Sequence, residues 1–352
     1  MADKGSDSLQ KPKRPYARKG KSEPVRPVAD EMFGAFFSAG GSLSPGDVLQ
    51  ISFEDGEGSV ATHRPQEFLK TGDRISNNIV KGFKDGEAVF KGSAKTSRGL
   101  EPFVTRVSFS YKNVGIMVPS GGDKGFTSLD KEVHDAVVSL YAAGNMVFSP
   151  AMVYRTMAGK ADSSYVHPEK LGEITASIYK CMSSIITIDA GEEAPVYGME
   201  ALYSQNLIYA KAVTLKTKGW EVSAFMLIDE PVLFRYAKMK RQVFSVPLRV
   251  LDTPPSKTND VIVLQGYLLR IVESLRRPGT KVSDMVLYSS IYELLDEKYA
   301  AKQKLLRIRA RVKSILNYWI DIGYIGGYME IKKDKSKYAI QIRAGQAGGV
   351  SG

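Results

Sequence analysis

The chain has 352 residues, 43% of them hydrophobic, and a formal net charge of +11, which allows a substantial core spread over about two or three domains. Its longest apolar runs are far too short to span a membrane, and its polar, lysine-containing N-terminus lacks the apolar segment of a signal peptide. The single cysteine, Cys181, excludes an internal disulfide framework and fits a reducing compartment, with a buried structural thiol as our expectation.

The first third of the chain is predicted to hold two segments of different character. Residues 1–29 are expected to form a disordered basic arm, because 1–28 contain eight Lys and Arg, four prolines and few apolar residues. Such an arm either adds nonspecific affinity for nucleic acid or only keeps the chain in solution. Residues 30–120 are predicted to be a β-rich or partly disordered accessory region. Its strand-like runs are 47–53, 88–92 and 103–111.

Residues 121–252, which begin with a connector at 121–125, are predicted to form three helices followed by a hairpin. The first helix, 129–143, is amphipathic and stops at Gly144 and Asn145. Ser149 with Pro150 predicts the N-cap of a second helix that ends near Gly159, and Pro168 opens a third. The apolar residues of this third helix share one side: Leu171, Ile174, Ile178, Met182 and Ile185. Two strand-like runs follow, 207–215 and 220–228.

The same order returns in residues 253–345, after a linker that contains Pro254 and Pro255. Residues 261–275 predict a helix, and Ser283 is expected to cap a second helix that runs to Leu295. A long basic helix and a hairpin of 324–331 and 337–343 complete the set, and residues 346–352 are expected to be a flexible tail. Residues 149–157 resemble 283–292, and 174–188 resemble 308–322, which favours internal duplication.

The two units differ in charge. Residues 257–343 contain seventeen Lys and Arg against nine Asp and Glu, a net charge of +8, and such a domain attracts polyanions. Between Lys298 and Lys313 there are seven Lys and Arg and no Asp or Glu to neutralise them. In the third helix of the first unit the charges sum to zero. We therefore expect DNA to be gripped chiefly by the second unit.

The basic helix has the side-chain distribution that a helix in the major groove requires. Its apolar residues, Leu305, Ile308, Val312, Ile315, Leu316 and Trp319, recur at helical spacing and predict a buried face. The opposite face is predicted to read bases through Gln303, Arg307, Ser314 and Asn317. The flanking cations are predicted to contact phosphates: Lys302, Lys304, Arg309, Arg311 and Lys313. The tip of the hairpin is predicted to act as a wing through Lys332, Lys333, Lys335 and Lys337. The alternative is a surface helix whose cations only keep it in solution.

Residues typical of catalysis or metal binding are sparse, so no enzyme, metal or cofactor is expected. The three histidines, His63, His134 and His167, are far apart, and we expect His134 and His167 to be exposed or capping residues. Gly159 and Lys160 lack the rest of a P-loop, and no pair of histidines flanks a hydrophobic residue as in rolling-circle nicking enzymes. The acidic residues in or beside loops are the alternative magnesium ligands: Asp189, Glu192, Glu193, Asp229 and Glu230.

The order of elements from 129 to 343, with VIVLQGYLLR at 261–270 after the proline linker, resembles the tandem winged-helix initiators of plasmid replication, a type also found on other mobile elements. The resemblance covers about three fifths of the chain, and residues before 129 have no counterpart in it. It implies an α+β fold of two tandem winged-helix domains, preceded by the small β-rich or partly disordered N-terminal region.

The resemblance also implies a function without chemistry. The second winged helix would bind repeated origin sequences, with recognition by residues 302–317 and a wing at 332–337. The first would dimerise or make a second DNA contact, giving a homodimer or a monomer–dimer equilibrium. Host replication proteins would be further partners, and the expected location is cytoplasmic, at the nucleoid. Three alternatives stay open: a transcriptional repressor of the same fold, an RNA-binding or nucleoprotein protein, and a DNA enzyme that uses Asp189 or Glu193.

Overall fold

The computed structural model describes residues 49–52, 63–81, 86–97, 99–111, 125–161, 164–197, 202–217, 220–277, 283–332 and 338–345. Helices and strands in these ranges together form a mixed α and β fold with several small sheets. The predicted arm, most of the connector at 121–125 and the tail at 346–352 lie outside the described residues.

Strands lie at the three places where the N-terminal sequence predicts them. The elements there are β1 (Leu49–Ser52), β2 (Glu67–Thr71), α1 (Arg74–Asn78), β3 (Glu87–Thr96) and β4 (Gly99–Tyr111). Helix α1 begins after Asp73, whose carboxylate accepts a hydrogen bond from the backbone N–H of Ser76, as an N-cap residue should.

The following elements carry the predicted order of three helices and a hairpin, with extra strands inserted. They are α2 (Ser128–Ala142), β5 (Val147–Phe148), α3 (Pro150–Ala158), α4 (Pro168–Ser183), β6 (Ser184–Asp189), α5 (Ala194–Tyr197), β7 (Leu202–Asn206), β8 (Ala210–Thr217), β9 (Trp220–Leu227), α6 (Val232–Met239) and β10 (Val243–Pro247). The predicted N-cap at Ser149 is confirmed, because its hydroxyl accepts from the N–H of Met152. Gly159 ends α3 in the left-handed region at φ 67°, which glycine adopts without strain.

The third predicted helix is shorter than its apolar pattern suggests. Helix α4 ends at Ser183, and Ile185 lies in strand β6, so its assignment to the helix face was wrong. Residues 184–189 alternate between buried and half-buried positions, which is the period of two that a strand requires. The β-branched run in this segment favours the extended conformation.

Strands from the N-terminal elements pair with strands of the first unit. One sheet has the order β3-β4-β6-β7, a second joins β2 to β10, and a third has the order β1-β8-β9-β5. Each pair in these sheets is antiparallel except β1 with β8. The described part of the predicted accessory region therefore shares its sheets with residues further along the chain.

The second unit repeats the order without the inserted strands. After a 3₁₀ turn (Leu248–Leu251), its elements are α7 (Asn259–Arg276), β11 (Met285–Leu287), α8 (Tyr288–Leu294), α9 (Lys302–Asp321), β12 (Ile325–Lys332) and β13 (Tyr338–Ala344). The predicted cap at Ser283 is wrong, because Ser283 precedes a short strand and α8 starts only at Tyr288. Strand β11 pairs with β13, which also pairs with β12, and this sheet has the order β11-β13-β12.

The 3₁₀ turn is held by side chains of the second unit. Trp319 donates to the carbonyl of Val250 at 2.8 Å, and Tyr318 donates to the carbonyl of Arg249 at 2.9 Å. Lys257 and Gln265 both donate to the carbonyl of Leu251, at 2.5 and 2.9 Å. On the other side, the turn packs closely against Gly159. Hydrogen bonds and close packing therefore define the geometry of the joint between the two units.

Candidate nucleic-acid interface

Helix α9 is oriented by one strongly apolar side. Ile308, Val312, Ile315, Leu316 and Trp319 are buried, as the sequence predicts, and Leu305 is half-buried. Burial of aliphatic and aromatic side chains is worth about 1.5 to 3 kcal/mol each, so this face fixes which residues point to solvent. The polar residues of the helix must then lie on the outer surface.

The four residues predicted to read bases lie on the solvent side. Gln303, Arg307 and Asn317 are exposed, and Ser314 is half-buried. The amide oxygen of Asn317 accepts a hydrogen bond from the hydroxyl of Tyr328 in β12, at 3.0 Å. This bond ties the far end of the predicted reading face to the hairpin. Leu306, 51% exposed on the same helix, was not among the predicted residues because only polar side chains were considered.

The five predicted phosphate contacts have unequal surroundings. Lys302 is exposed and has no acidic partner among the described residues. Lys304 pairs with Glu297, Arg311 with Asp260 at 3.3 Å, and Lys313 with Glu330 at 2.7 Å. The statement that no acid neutralises these cations is therefore wrong for three of them. Their partners lie 7, 51 and 17 residues away along the chain, where helical spacing cannot reveal them.

Arg309 is enclosed by aromatic side chains. Its guanidinium lies 4.8 Å from the ring centroid of Tyr288 and 4.4 Å from that of Tyr338, and its Nε donates to the hydroxyl of Tyr292 at 2.6 Å. A guanidinium stacked on aromatic faces is a stabilising contact in proteins. Arg309 therefore connects α9 to α8 and β13, a role that the sequence analysis missed.

The hairpin is anchored to the helix by a second chain of polar contacts. The hydroxyl of Tyr288 donates to the carboxylate of Glu330 at 2.7 Å, and the same carboxylate pairs with Lys313. Partial burial opposes ionisation of Glu330, but hydrogen bonds from Lys313 and Tyr288 lower its pKa below the usual value. Burial and the neighbouring Glu330 raise the pKa of Tyr288, so that its hydroxyl stays a donor.

Only one of the predicted wing residues can be placed. Lys332 is exposed at the end of β12, on the hairpin that packs beside α9. Lys333, Lys335 and Lys337 lie outside the described residues. The hairpin itself follows the prediction, since β12 and β13 pair antiparallel, from Ile325 opposite Ala344 to Lys332 opposite Tyr338.

The corresponding helix of the first unit, α4, is not a basic surface. Lys170 pairs with Glu173 at 2.6 Å and also donates to Asn259 of α7 at 3.1 Å. Cys181 is buried on this helix, and burial raises the pKa of its thiol well above the usual value, which fits the predicted structural thiol. His167 caps α4 by accepting from the N–H of Glu169, so its predicted capping role is confirmed.

The prediction for His134 was wrong. It is completely buried in α2, where it was expected to be exposed or capping. It neighbours a buried group of charged residues in which Lys70 pairs with Glu132 at 2.5 Å and Lys131 pairs with Asp135 at 2.6 Å. Burial lowers the pKa of His134, although Asp135 opposes this. The helical pattern gave no signal, because the elements that cover His134 lie far away in sequence.

The acidic residues considered as magnesium ligands accept hydrogen bonds or form ion pairs within the chain. Glu193 is buried and accepts from Thr105 at 2.8 Å and from Tyr236 at 2.9 Å. Asp229 pairs with Arg235 at 2.7 Å. In the ranges that the structure describes, no group of three His, Cys, Asp or Glu side chains is placed to hold a metal ion. Nor does any described helix combine the length and the apolar character needed to cross a bilayer.

Comparisons with known proteins gave structural likeness alone. No family model matches the chain, and a search of curated proteins found no match. Two crystal structures of domains 2 and 3 of RctB, one of them from selenomethionine derivatives, are among its structural matches. The derivative shows 14% sequence identity and a TM-score of 0.36, over 73% of this chain and 92% of that one. The other shows 12% identity and a TM-score of 0.37, over 73% and 91%.

Proposed function

We propose that this chain binds double-stranded DNA with sequence specificity through α9 and the β12–β13 hairpin. The observation that carries the proposal is the outer face of α9. Gln303 and Arg307 are exposed there between flanking cations, and the hairpin is bonded to the same helix through Tyr328 and Asn317. A helix in the major groove reads base edges with such polar side chains, while cations at its edges meet the phosphates.

We propose that the two units are tandem winged helices. The second unit supports this with the order helix, strand, helix, helix and hairpin, in which the first strand, β11, pairs with the last, β13. In the first unit β5 likewise pairs with β9, the last strand of its hairpin. The helix before the hairpin is then the recognition helix, as in other helix-turn-helix proteins.

We assign the main DNA contact to the second unit and a supporting role to the first. The outward charges of α4 are matched, as the pairing of Lys170 with Glu173 illustrates. A helix without excess positive charge gains little from counterion release on DNA. The first unit is therefore free to pair with another protomer or to make a lighter DNA contact.

The role that we propose is initiation of replication at repeated origin sites, with recruitment of host replication factors. This role rests on the resemblance of 129–343 to plasmid initiators, and it needs no catalysis by the protein. A transcriptional repressor of the same fold would use the same surface. An initiator would select direct repeats, whereas a repressor would select an inverted repeat at a promoter.

The proposal is tested by selecting bound fragments from a pool of random duplex DNA. We expect enrichment of one motif, and fluorescence anisotropy should then show binding of the motif at least about a thousandfold tighter than binding of random duplex. A matched single-stranded RNA of the same sequence is the control. Failure to enrich any duplex motif, or tighter binding to the RNA, would overturn the proposal.

A further inference from the structure

Carboxylates from outside α9 already occupy three of its cations. Lys304 pairs with Glu297 in the loop before the helix. Arg311 pairs with Asp260 in the first turn of α7, at 3.3 Å. Lys313 pairs with Glu330 of β12, at 2.7 Å. Three different elements therefore each supply one acidic partner.

These partners stand along both edges of the face that would meet DNA. Lys304 and Arg311 flank the reading face on one side and Lys313 on the other, so an anion lies at each edge. The side chains of these pairs are 20 to 51% exposed, and half-exposed ion pairs of this kind are weak and exchange readily. At each edge, a phosphate would compete with a carboxylate for at least one cation.

The carboxylate of Glu330 is held in place rather than left free to swing away. The hydroxyl of Tyr288 donates to its Oε1 at 2.7 Å, while Lys313 pairs with its Oε2. In contrast, Lys302 and Arg307 have no acidic partner in the part of the chain that the structure describes. The acidic residues therefore pair with particular cations of α9 and leave others available to contact DNA.

We propose that Glu297, Asp260 and Glu330 are built-in competitors of DNA phosphate, which lower the affinity of the interface for duplexes of any sequence. This inference rests on the proposed DNA-binding function. Nonspecific binding depends almost wholly on cation–phosphate contacts, whereas specific binding also uses base contacts. Because the phosphate contacts are common to both modes, competing carboxylates weaken specific and nonspecific binding by about the same factor.

The test is to remove the competing charge without changing the size of the side chain. Glu330→Gln and Asp260→Asn should each raise affinity for a random-sequence duplex about threefold to tenfold in a fluorescence-anisotropy titration at 100 mM salt. The slope of log affinity against log salt should become steeper, by up to about 0.9 for each cation released. The affinity for the selected motif should rise by a similar factor, so that the ratio of the two affinities stays about constant.

Two controls separate this effect from a general gain of positive charge. Asp321→Asn changes the net charge by the same amount at an exposed position of α9, and Asp321 has no cationic partner among the described residues. It should change affinity less than twofold. In a Lys313→Met background, Glu330→Gln should also have less than a twofold effect, because the cation that it releases is gone.

The outcomes are distinguishable. If the natural chain binds random duplex and the amide variants bind it no more tightly than Asp321→Asn does, this inference is overturned and the proposed function stands. If the natural chain and all variants fail to bind any duplex at 50 mM salt, the proposed function and this inference fall together. A thermal melt of each variant within about 2 °C of the natural chain shows that the comparison concerns folded protein.

Discussion

Arg307 and Lys302 are two exposed cations in the first half of α9 that lack an acidic partner among the described residues, yet their positions on the helix differ. Arg307 lies in the middle of the reading face and Lys302 at its edge. A bidentate contact from Arg to guanine is worth about 1 to 3 kcal/mol of discrimination. We therefore expect Arg307→Ala to relax base preference at one position, by roughly tenfold or more, in a repeated selection experiment.

Lys302→Ala is the matched control for Arg307→Ala. It removes one cation from the same helix, and it should weaken motif and random duplex alike and reduce the salt slope by about 1. If Arg307→Ala changes neither affinity nor base preference in an anisotropy titration, the assignment of α9 as the recognition helix is wrong.

Arg309 has a different expected effect, because its guanidinium is stacked between two tyrosine rings. Replacing it by Met keeps much of the volume and removes the cation–π contacts and the bond to Tyr292. Such contacts are worth on the order of 1 to 2 kcal/mol where they are partly desolvated. We expect Arg309→Met to lower the free energy of unfolding in urea by about that amount. Lys302→Ala, which removes an exposed cation, should leave it unchanged within about 0.5 kcal/mol.

The readout that separates positioning from phosphate contact is the salt dependence of binding. If Arg309 only donated to one phosphate, its loss would reduce the slope by about 0.9 and leave the stability intact. If Arg309 instead positions the hairpin, Arg309→Met should lower the stability of the chain and also weaken DNA binding. Unchanged stability in Arg309→Met would contradict the positioning role.

At the scale of elements, α2 and α7 pack closely because α7 has a glycine at the contact. A Cβ on Gly266 would overlap the carboxylate of Glu132, which is buried and bonded to Lys70 and therefore cannot move aside cheaply. Overpacking of this kind costs about 1 to 3 kcal/mol. Gly266→Ala should destabilise the chain by that amount in urea unfolding, although alanine favours a helix.

Gly172 provides the opposite case in α4. It is exposed, and a Cβ there would meet no atom within 4 Å. Gly172→Ala should therefore stabilise the chain by up to about 1 kcal/mol, the difference in helix propensity. Equal effects of the two substitutions would mean that the α2–α7 contact is looser than the structure shows.

The joint between the units contains a buried amine. Lys257 donates to the Leu251 carbonyl, to Thr253 at 2.7 Å and to Gln265 at 3.2 Å. Burial lowers its pKa to about 7, with Asp252 opposing the shift. Between this value and the usual pKa of about 10.4, the unfolded chain binds a proton that the folded chain does not. The contribution of Lys257 to the free energy of unfolding must then increase as the pH rises above 7.

The pH dependence of unfolding tests this reasoning. The free energy of unfolding of the natural chain, minus that of Lys257→Met, should increase by roughly 2 kcal/mol between pH 7 and pH 9, since a full proton difference is worth about 1.4 kcal/mol per pH unit. Below pH 6 the difference should be constant, because both states are then protonated. A difference that stays flat from pH 6 to pH 9 would mean that Lys257 keeps its proton in the folded chain.

Local sequence patterns predicted the long elements. The elements that these patterns missed depend on contacts between residues that are distant in sequence. The buried face of α9, the cap at Ser149 and the β12–β13 hairpin all depend on neighbouring residues, so periodicity and capping chemistry are enough to find them. Strand β11 has three residues, too few for a period to be recognised. Ile185 fits both a helical and a strand pattern, and pairing of β6 with β4 and β7 favours the strand.

The features of the candidate site also fall into those that local sequence patterns predict and those that depend on distant contacts. The exposure of Gln303 and Arg307 follows from the apolar side of α9 and could be predicted. The aromatic enclosure of Arg309 and the acidic partners of Lys304, Arg311 and Lys313 depend on which elements pack beside the helix. Nothing in the spacing of residues 298–313 encodes those neighbours, and so the sequence overestimated how many cations are unpaired.

At the scale of the whole molecule, the uneven charge should appear in the salt dependence of binding. The second unit carries most of the net charge of +11, and neutralisation of about six phosphates predicts a slope near −5 in log affinity against log salt. Affinity should fall on the order of a thousandfold between 50 and 200 mM salt. The measurement is an anisotropy titration on random duplex at a fixed, low protein concentration, so that any protomer association contributes equally at each salt. A slope shallower than about −2 would limit the interface to two or so phosphates, which is too few for a helix and a wing that both contact the backbone.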